Sequence, residues 1–134
     1  MRSAVQVCPE WKRIDALPRR VPEVPAGTIE ALSRSLLVDP DTYPTHALRE
    51  IQAAALLELL HCKGLLGPIR PGAGKTLISF LAGTVLGARR PVLLVPAKLR
   101  DKTIAEYAKL ARIWRVHPRL IVESYELQSR VKHA

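Results

Sequence analysis

Pro71-Gly72-Ala73-Gly74-Lys75-Thr76 is the stretch of this 134-residue chain whose residue types and spacing suit chemistry, and the chemistry is the gripping of phosphate. Glycine brings no Cβ, so the backbone can approach an anion closely. Successive N–H groups then converge on one concavity, and a helix that follows adds the positive end of its dipole. Lys75 has the reach for β- and γ-phosphates, and the Thr76 hydroxyl can ligate Mg²⁺. The strict pattern G-x-x-x-x-G-K-[ST] would place a glycine at position 69, where this chain has Ile69; Gly67 comes two residues too early. The bland alternative is a glycine-rich turn followed by a helix that happens to begin Lys-Thr. Leu65-Leu66-Gly67-Pro68-Ile69 before the loop, which suits a short buried strand, and the helical pattern Leu77–Leu86 after it weigh against that alternative.

The elements that would hold this loop follow from periodicity and punctuation. Pro9, Pro18, Pro22 and Pro25 exclude a long helix or central strand from residues 1–27. Thr28 can cap a short helix running to Val38, with Ile29, Leu32, Leu36 and Leu37 on one face. Asp39-Pro40-Asp41-Thr42-Tyr43-Pro44 is a break. From Thr45 to Lys63, Leu48, Ile51, Ala55, Leu59 and Cys62 recur at helical spacing, and Gly64 is the expected stop. A strand over 65–69, the loop, a helix over 75–88, a fully buried strand Val92–Val95, a helix from Asp101 to Trp114, a strand Leu120–Val122 and a helix starting at Tyr125 complete the order. Ile104, Tyr107, Ala108 and Ala111 are the expected inner face of the Asp101–Trp114 helix. Such alternation predicts an α/β fold: a parallel sheet with right-handed crossovers and helices on both faces. Residues 1–44 read as a proline-rich arm with one short helix, and 45–134 as the α/β unit.

Composition narrows the partners. Hydrophobic residues make up 48% of the chain and aromatics only 4%, so an aliphatic core is expected. No apolar run reaches the ~20 residues of a membrane span, and the N-terminus lacks a secretory hydrophobic region. Cys8 and Cys62 have neither metal-ligand spacing nor the number for a disulfide framework, which suits a reduced, cytoplasmic setting. Twenty-one Lys and Arg against 12 Asp and Glu leave a net charge of +9, a balance that suits a polyanionic partner. The charge is dispersed, so a solvated basic surface is the alternative reading. A monomer is expected.

Further segments resemble one architecture. Pro-Gly-x-Gly-Lys-Thr, without the first glycine, resembles the phosphate loop of superfamily 2 helicases, DEAD/DEAH-like in the broad sense and of phage type. Leu48-Arg49-Glu50-Ile51-Gln52 resembles the L-R-x-x-Q segment ahead of that loop, and Leu48 to Arg130 resembles the first RecA-like lobe. The resemblance implies that Pro71, Gly72, Ala73, Gly74, Lys75 and Thr76 bind ATP with Mg²⁺ on Thr76, and that Lys75 is catalytic. It also implies that Gln52 hydrogen-bonds the adenine edge; by position alone, Gln52 is as well read as a polar-face helix residue. Val92-Leu93-Leu94-Val95-Pro96-Ala97-Lys98-Leu99 resembles motif Ia, and Val122-Glu123-Ser124-Tyr125-Glu126-Leu127 resembles the third-strand segment. Pro96, Lys98, Arg100 and Ser124 would then contact the backbone of a nucleic acid, DNA more than RNA; solvated charges and core anchors are the plainer reading of these residues.

Departures from the family limit what this implies. Glu123 ends an apolar run as a Walker B strand does, but no Asp precedes it and it lies too near the loop. No Asp-Glu-x-His or Asp-Glu-Ala-Asp segment occurs, and that carboxylate pair holds Mg²⁺ and polarises the attacking water. The chain stops where that motif would begin, so a helicase fragment that binds ATP without hydrolysing it is expected. The alternative is a non-enzymatic protein whose basic loop grips nucleic-acid phosphate. A small nucleotide kinase would need acceptor and lid segments that are not found.

Overall fold

The computed structural model describes residues 8–18 and 23–127, and the expectations for 1–7, 19–22 and 128–134 lie outside them. Helices α1 (Pro9–Asp15), α2 (Thr28–Leu36), α3 (Glu50–Cys62) and α4 (Lys75–Val85) come first. Strand β1 (Val92–Val95), a single 3₁₀ turn (Ala97–Leu99), helix α5 (Arg100–Leu110) and strand β2 (Ile121–Ser124) follow. β1 and β2 pair in parallel, with Val92 opposite Ile121 and Val95 opposite Ser124. The β1–α5–β2 crossover is the unit that the alternating pattern predicted, and the class is mixed α/β.

Two strand expectations are corrected. Residues 64–70 form no strand: Leu66 is 97% exposed, and the Ile69 N–H folds back on the Gly67 carbonyl at 2.7 Å. Pro68 has no N–H to give a ladder, and Gly67 adds conformational freedom, so an apolar run here is not enough to make a strand. β1 is not fully buried either. Leu93 and Val95 turn inward while Val92 and Leu94 are 54% and 39% exposed, and Ile121 of β2 joins them on the uncovered face.

Helix limits are corrected as well. Gly27, at φ 78°, is the N-cap of α2, and Thr28 is its first helical residue. α3 begins at Glu50 instead of Thr45 and closes on Lys63 in the left-handed region (φ 57°), one residue before Gly64. Of the residues expected inside, Leu48, Ala55 and Leu59 are buried, whereas Ile51 and Cys62 are exposed and Gln52, Ala53 and Leu56 are buried as well. α3 lies against α4 and α2, and those two neighbours select the side that leaves water. α5 ends at Leu110, with Ile104 and Ala108 exposed. Tyr107 does pack inward, edge-on against the fully buried Phe80 at 5.7 Å between ring centroids.

The core joins Leu36 and Leu37 of the α2 end to Leu48, Ala53, Leu56, Ile78, Phe80, Leu81 and Trp114. The expected boundary at residue 44 therefore passes through one packed unit. Hydrogen bonds reinforce the junction: the Val38 N–H donates to the Ile113 carbonyl at 2.9 Å, and Arg115 donates through Nε to the Leu37 carbonyl at 2.8 Å. α1 has no buried residue.

Candidate phosphate-binding loop

Local sequence shapes residues 71–76 directly. Gly72 and Gly74 adopt φ of 80° and 81°, a region that costs other residues strain, so the two glycines are needed where they stand. Gly74 is the N-cap of α4 and Lys75 its first helical residue. A glycine cap has no side chain to satisfy the first-turn N–H groups, and that turn carries no acidic residue. Unpaired donors and the helix dipole thus point out of the start of α4 together. Ala73 is buried beneath the loop, Thr76 is half-buried and Lys75 is exposed.

Three side chains tie the loop down. Arg49, just before α3, donates through a guanidinium nitrogen to the Gly72 carbonyl at 2.8 Å. Gln52, only 5% exposed, donates through Nε2 to the Gly74 carbonyl at 3.2 Å, while its Oε1 accepts the Arg49 backbone N–H at 2.8 Å. Lys75 bends back, its Nζ donating to the Ile69 carbonyl at 2.9 Å. The fold brings Gln52 against the loop, 22 residues on. Arg49 had no expected role from sequence, although a cation just ahead of a helix that abuts a glycine loop is a usable signal.

Two cavities flank the loop. One of about 600 Å³ lies between α3 and residues 64–70, lined by Ala54, Glu58, Leu65, Ile69, Arg70 and Ala73 among others. The other, about 470 Å³, has Arg49, Arg70, Pro71 and Gly72 in its wall. Neither is lined by Lys75 or Thr76. A Cβ built on Gly72 would meet nothing within 4 Å, which leaves room beside the loop.

The residues suit a magnesium–nucleotide in a limited way. Among the described residues no group of three His, Cys, Asp or Glu could hold a metal. Mg²⁺ keeps most of its water and takes its other ligands from phosphates plus one or two protein oxygens. The Thr76 hydroxyl at the second position of α4 can be one such oxygen.

The nucleic-acid candidates are divided. Pro96 caps the 3₁₀ turn after β1, Lys98 is exposed on that turn, and Arg100 opens α5. The Arg100 side chain is 38% exposed, yet its Nε is buried without a hydrogen-bond partner. Ser124 lies beside them, opposite Val95 in the sheet, but it is 2% exposed, and its Oγ accepts the Leu127 N–H at 3.3 Å. A hydroxyl so buried does not meet a strand bound at Lys98, because the fold gives it a backbone partner instead. Lys102, exposed on the first turn of α5, is the better companion. Glu126, one turn beyond β2, accepts the Ala97 N–H at 3.1 Å and holds the 3₁₀ turn in place.

Compared with protein-family models, curated proteins and solved structures, the chain matches none of them. In the described residues no helix is long and apolar enough to cross a membrane.

Proposed function

We propose that this chain is the ATP-binding part of an ATP-dependent nucleic-acid helicase or translocase, built on a RecA-like P-loop lobe. The observation that carries the reading is the start of α4, where Gly72 and Gly74 at positive φ precede Lys75 and Thr76 on an uncapped helix end. Peptide N–H groups, helix dipole and one ammonium then address the same anion, which is how a polyphosphate is held. On binding, Lys75 Nζ exchanges the Ile69 carbonyl for phosphate oxygens. An ionised acceptor makes the stronger hydrogen bond, so the exchange is favourable. The Thr76 hydroxyl would be a ligand for a magnesium ion bound with the phosphates, whose charge would offset theirs. The surface at Lys98, Arg100 and Lys102 is the proposed track for nucleic-acid backbone, which it would position without reading sequence.

Turnover needs carboxylates that polarise water, and the sequence has no Asp-Glu motif to supply them. These 134 residues should accordingly bind Mg·ATP with little or no hydrolysis. The test is thermal unfolding with Mg·ATP and, separately, with single-stranded DNA. At a hundredfold excess over Kd, a ligand adds about 2.7 kcal/mol to stability, a readily measured rise in Tm. Protection by ATP supports the nucleotide reading. DNA binding without any ATP effect would instead establish the non-enzymatic binder, whose loop grips backbone phosphate.

A further inference from the structure

We infer that Gln52 is a positioning residue for the phosphate loop, fixing the Gly74 carbonyl and through it the start of α4, and does not read the nucleotide base. The inference rests on the phosphate-binding reading of the loop, and it departs from the role that the helicase resemblance gives this glutamine. Its basis is the accounting of one side-chain amide. Gln52 lies inside, 5% exposed, on the third residue of α3. Its orientation is dictated by its neighbours: the Arg49 N–H requires an acceptor at 2.8 Å and the Gly74 carbonyl a donor at 3.2 Å. An amide turned round would face donor with donor and carbonyl with carbonyl. One N–H and one lone pair of the group are thus held by the protein's own backbone, one at each side of the α3–loop junction, and at 5% exposure little of the amide faces a ligand.

The packing is as specific as the hydrogen bonding. A Cβ on Gly74 would come within 2.2 Å of Gln52 Nε2, so the glycine is needed for this approach as well as for its φ of 81°. Gly74 is the residue whose peptide begins α4, which means that Gln52 sets where the first-turn donors point. Arg49 braces the same loop one glycine earlier, at the Gly72 carbonyl. The start of α3 thus carries a two-point clamp on the loop, one bond to each positive-φ glycine.

A base reader and a loop clamp differ in which ligands notice their loss. Gln52→Met keeps length and most of the volume but can neither accept nor donate, and Gln52→Ala removes the side chain altogether. The probes are sodium tripolyphosphate, Mg·ATP and Mg·GTP, with affinities taken on the full chain and folding checked by cooperative melting. A clamp predicts that Gln52→Met weakens all three by a similar factor, roughly tenfold for a lost pair of buried hydrogen bonds. In the unaltered protein, the Gln52 side-chain amide resonance should shift with tripolyphosphate as it does with ATP, a measurement that survives if the variants fail to fold. Loss confined to ATP with tripolyphosphate affinity retained, or an amide shift seen only with ATP, would overturn the inference and leave the phosphate loop standing. Wild-type protein that binds none of the three probes would overturn both.

Discussion

Lys75, Gly74 and Gln52 show how much a few residues settle. The Gly-x-Gly-Lys-Thr run was legible because its requirements are local: positive φ at two glycines, then a helix start. Gln52 was legible as a residue near the loop, though its partners were not, since no spacing rule says that a glutamine will face a carbonyl 22 residues on. Arg115 escaped notice for the same reason, as its carbonyl partner at Leu37 is 78 residues away. Gly83 gives a test at this scale. It lies within α4, where alanine would ordinarily add about 1 kcal/mol of helix propensity. A Cβ there would meet the Pro91 ring at 2.8 and 2.9 Å, and a proline ring cannot rotate away. Overpacking typically costs 1–3 kcal/mol, so the clash should win. Gly83→Ala is expected to lower the urea midpoint; a rise would show that Pro91 yields.

Among elements, the informative case is the failed strand at 64–70. Apolar content predicted it, yet a strand exists only through a ladder, and Gly67-Pro68 with an exposed Leu66 forms none. β1 and β2 succeeded because the α5 crossover returns the chain beside itself, with Tyr107 packing on Phe80. The link from α2 to the segment leading into α3 was likewise invisible in periodicity, because it runs through one serine. Ser33, 2% exposed, accepts the buried Leu48 N–H at 2.9 Å and donates to the Ile29 carbonyl. Ser33→Ala leaves that N–H unpaired inside, at a cost of about 1–3 kcal/mol. Chemical denaturation of the variant should show a loss in this range with an unchanged m-value. No loss would mean that α2 does not depend on this link.

For the whole molecule, charge and loop speak to different ligands. A net charge of +9, dispersed along the chain, favours polyanions in general, and Lys98 and Lys102 are two of its exposed cations near the end of β1. Single-stranded DNA affinity should fall steeply with salt, and replacing either lysine by alanine should reduce the log–log slope by roughly 0.7. Slopes unchanged in both variants would move the contact elsewhere on the surface. The loop, however, decides the proposed function. Its most direct test is calorimetric titration of Mg·ATP into the 134-residue protein and into Lys75→Ala. Saturable one-to-one binding to the first, weakened at least tenfold in the second while melting is nearly unchanged, is the predicted result. No binding to either, or equal binding to both, would contradict it.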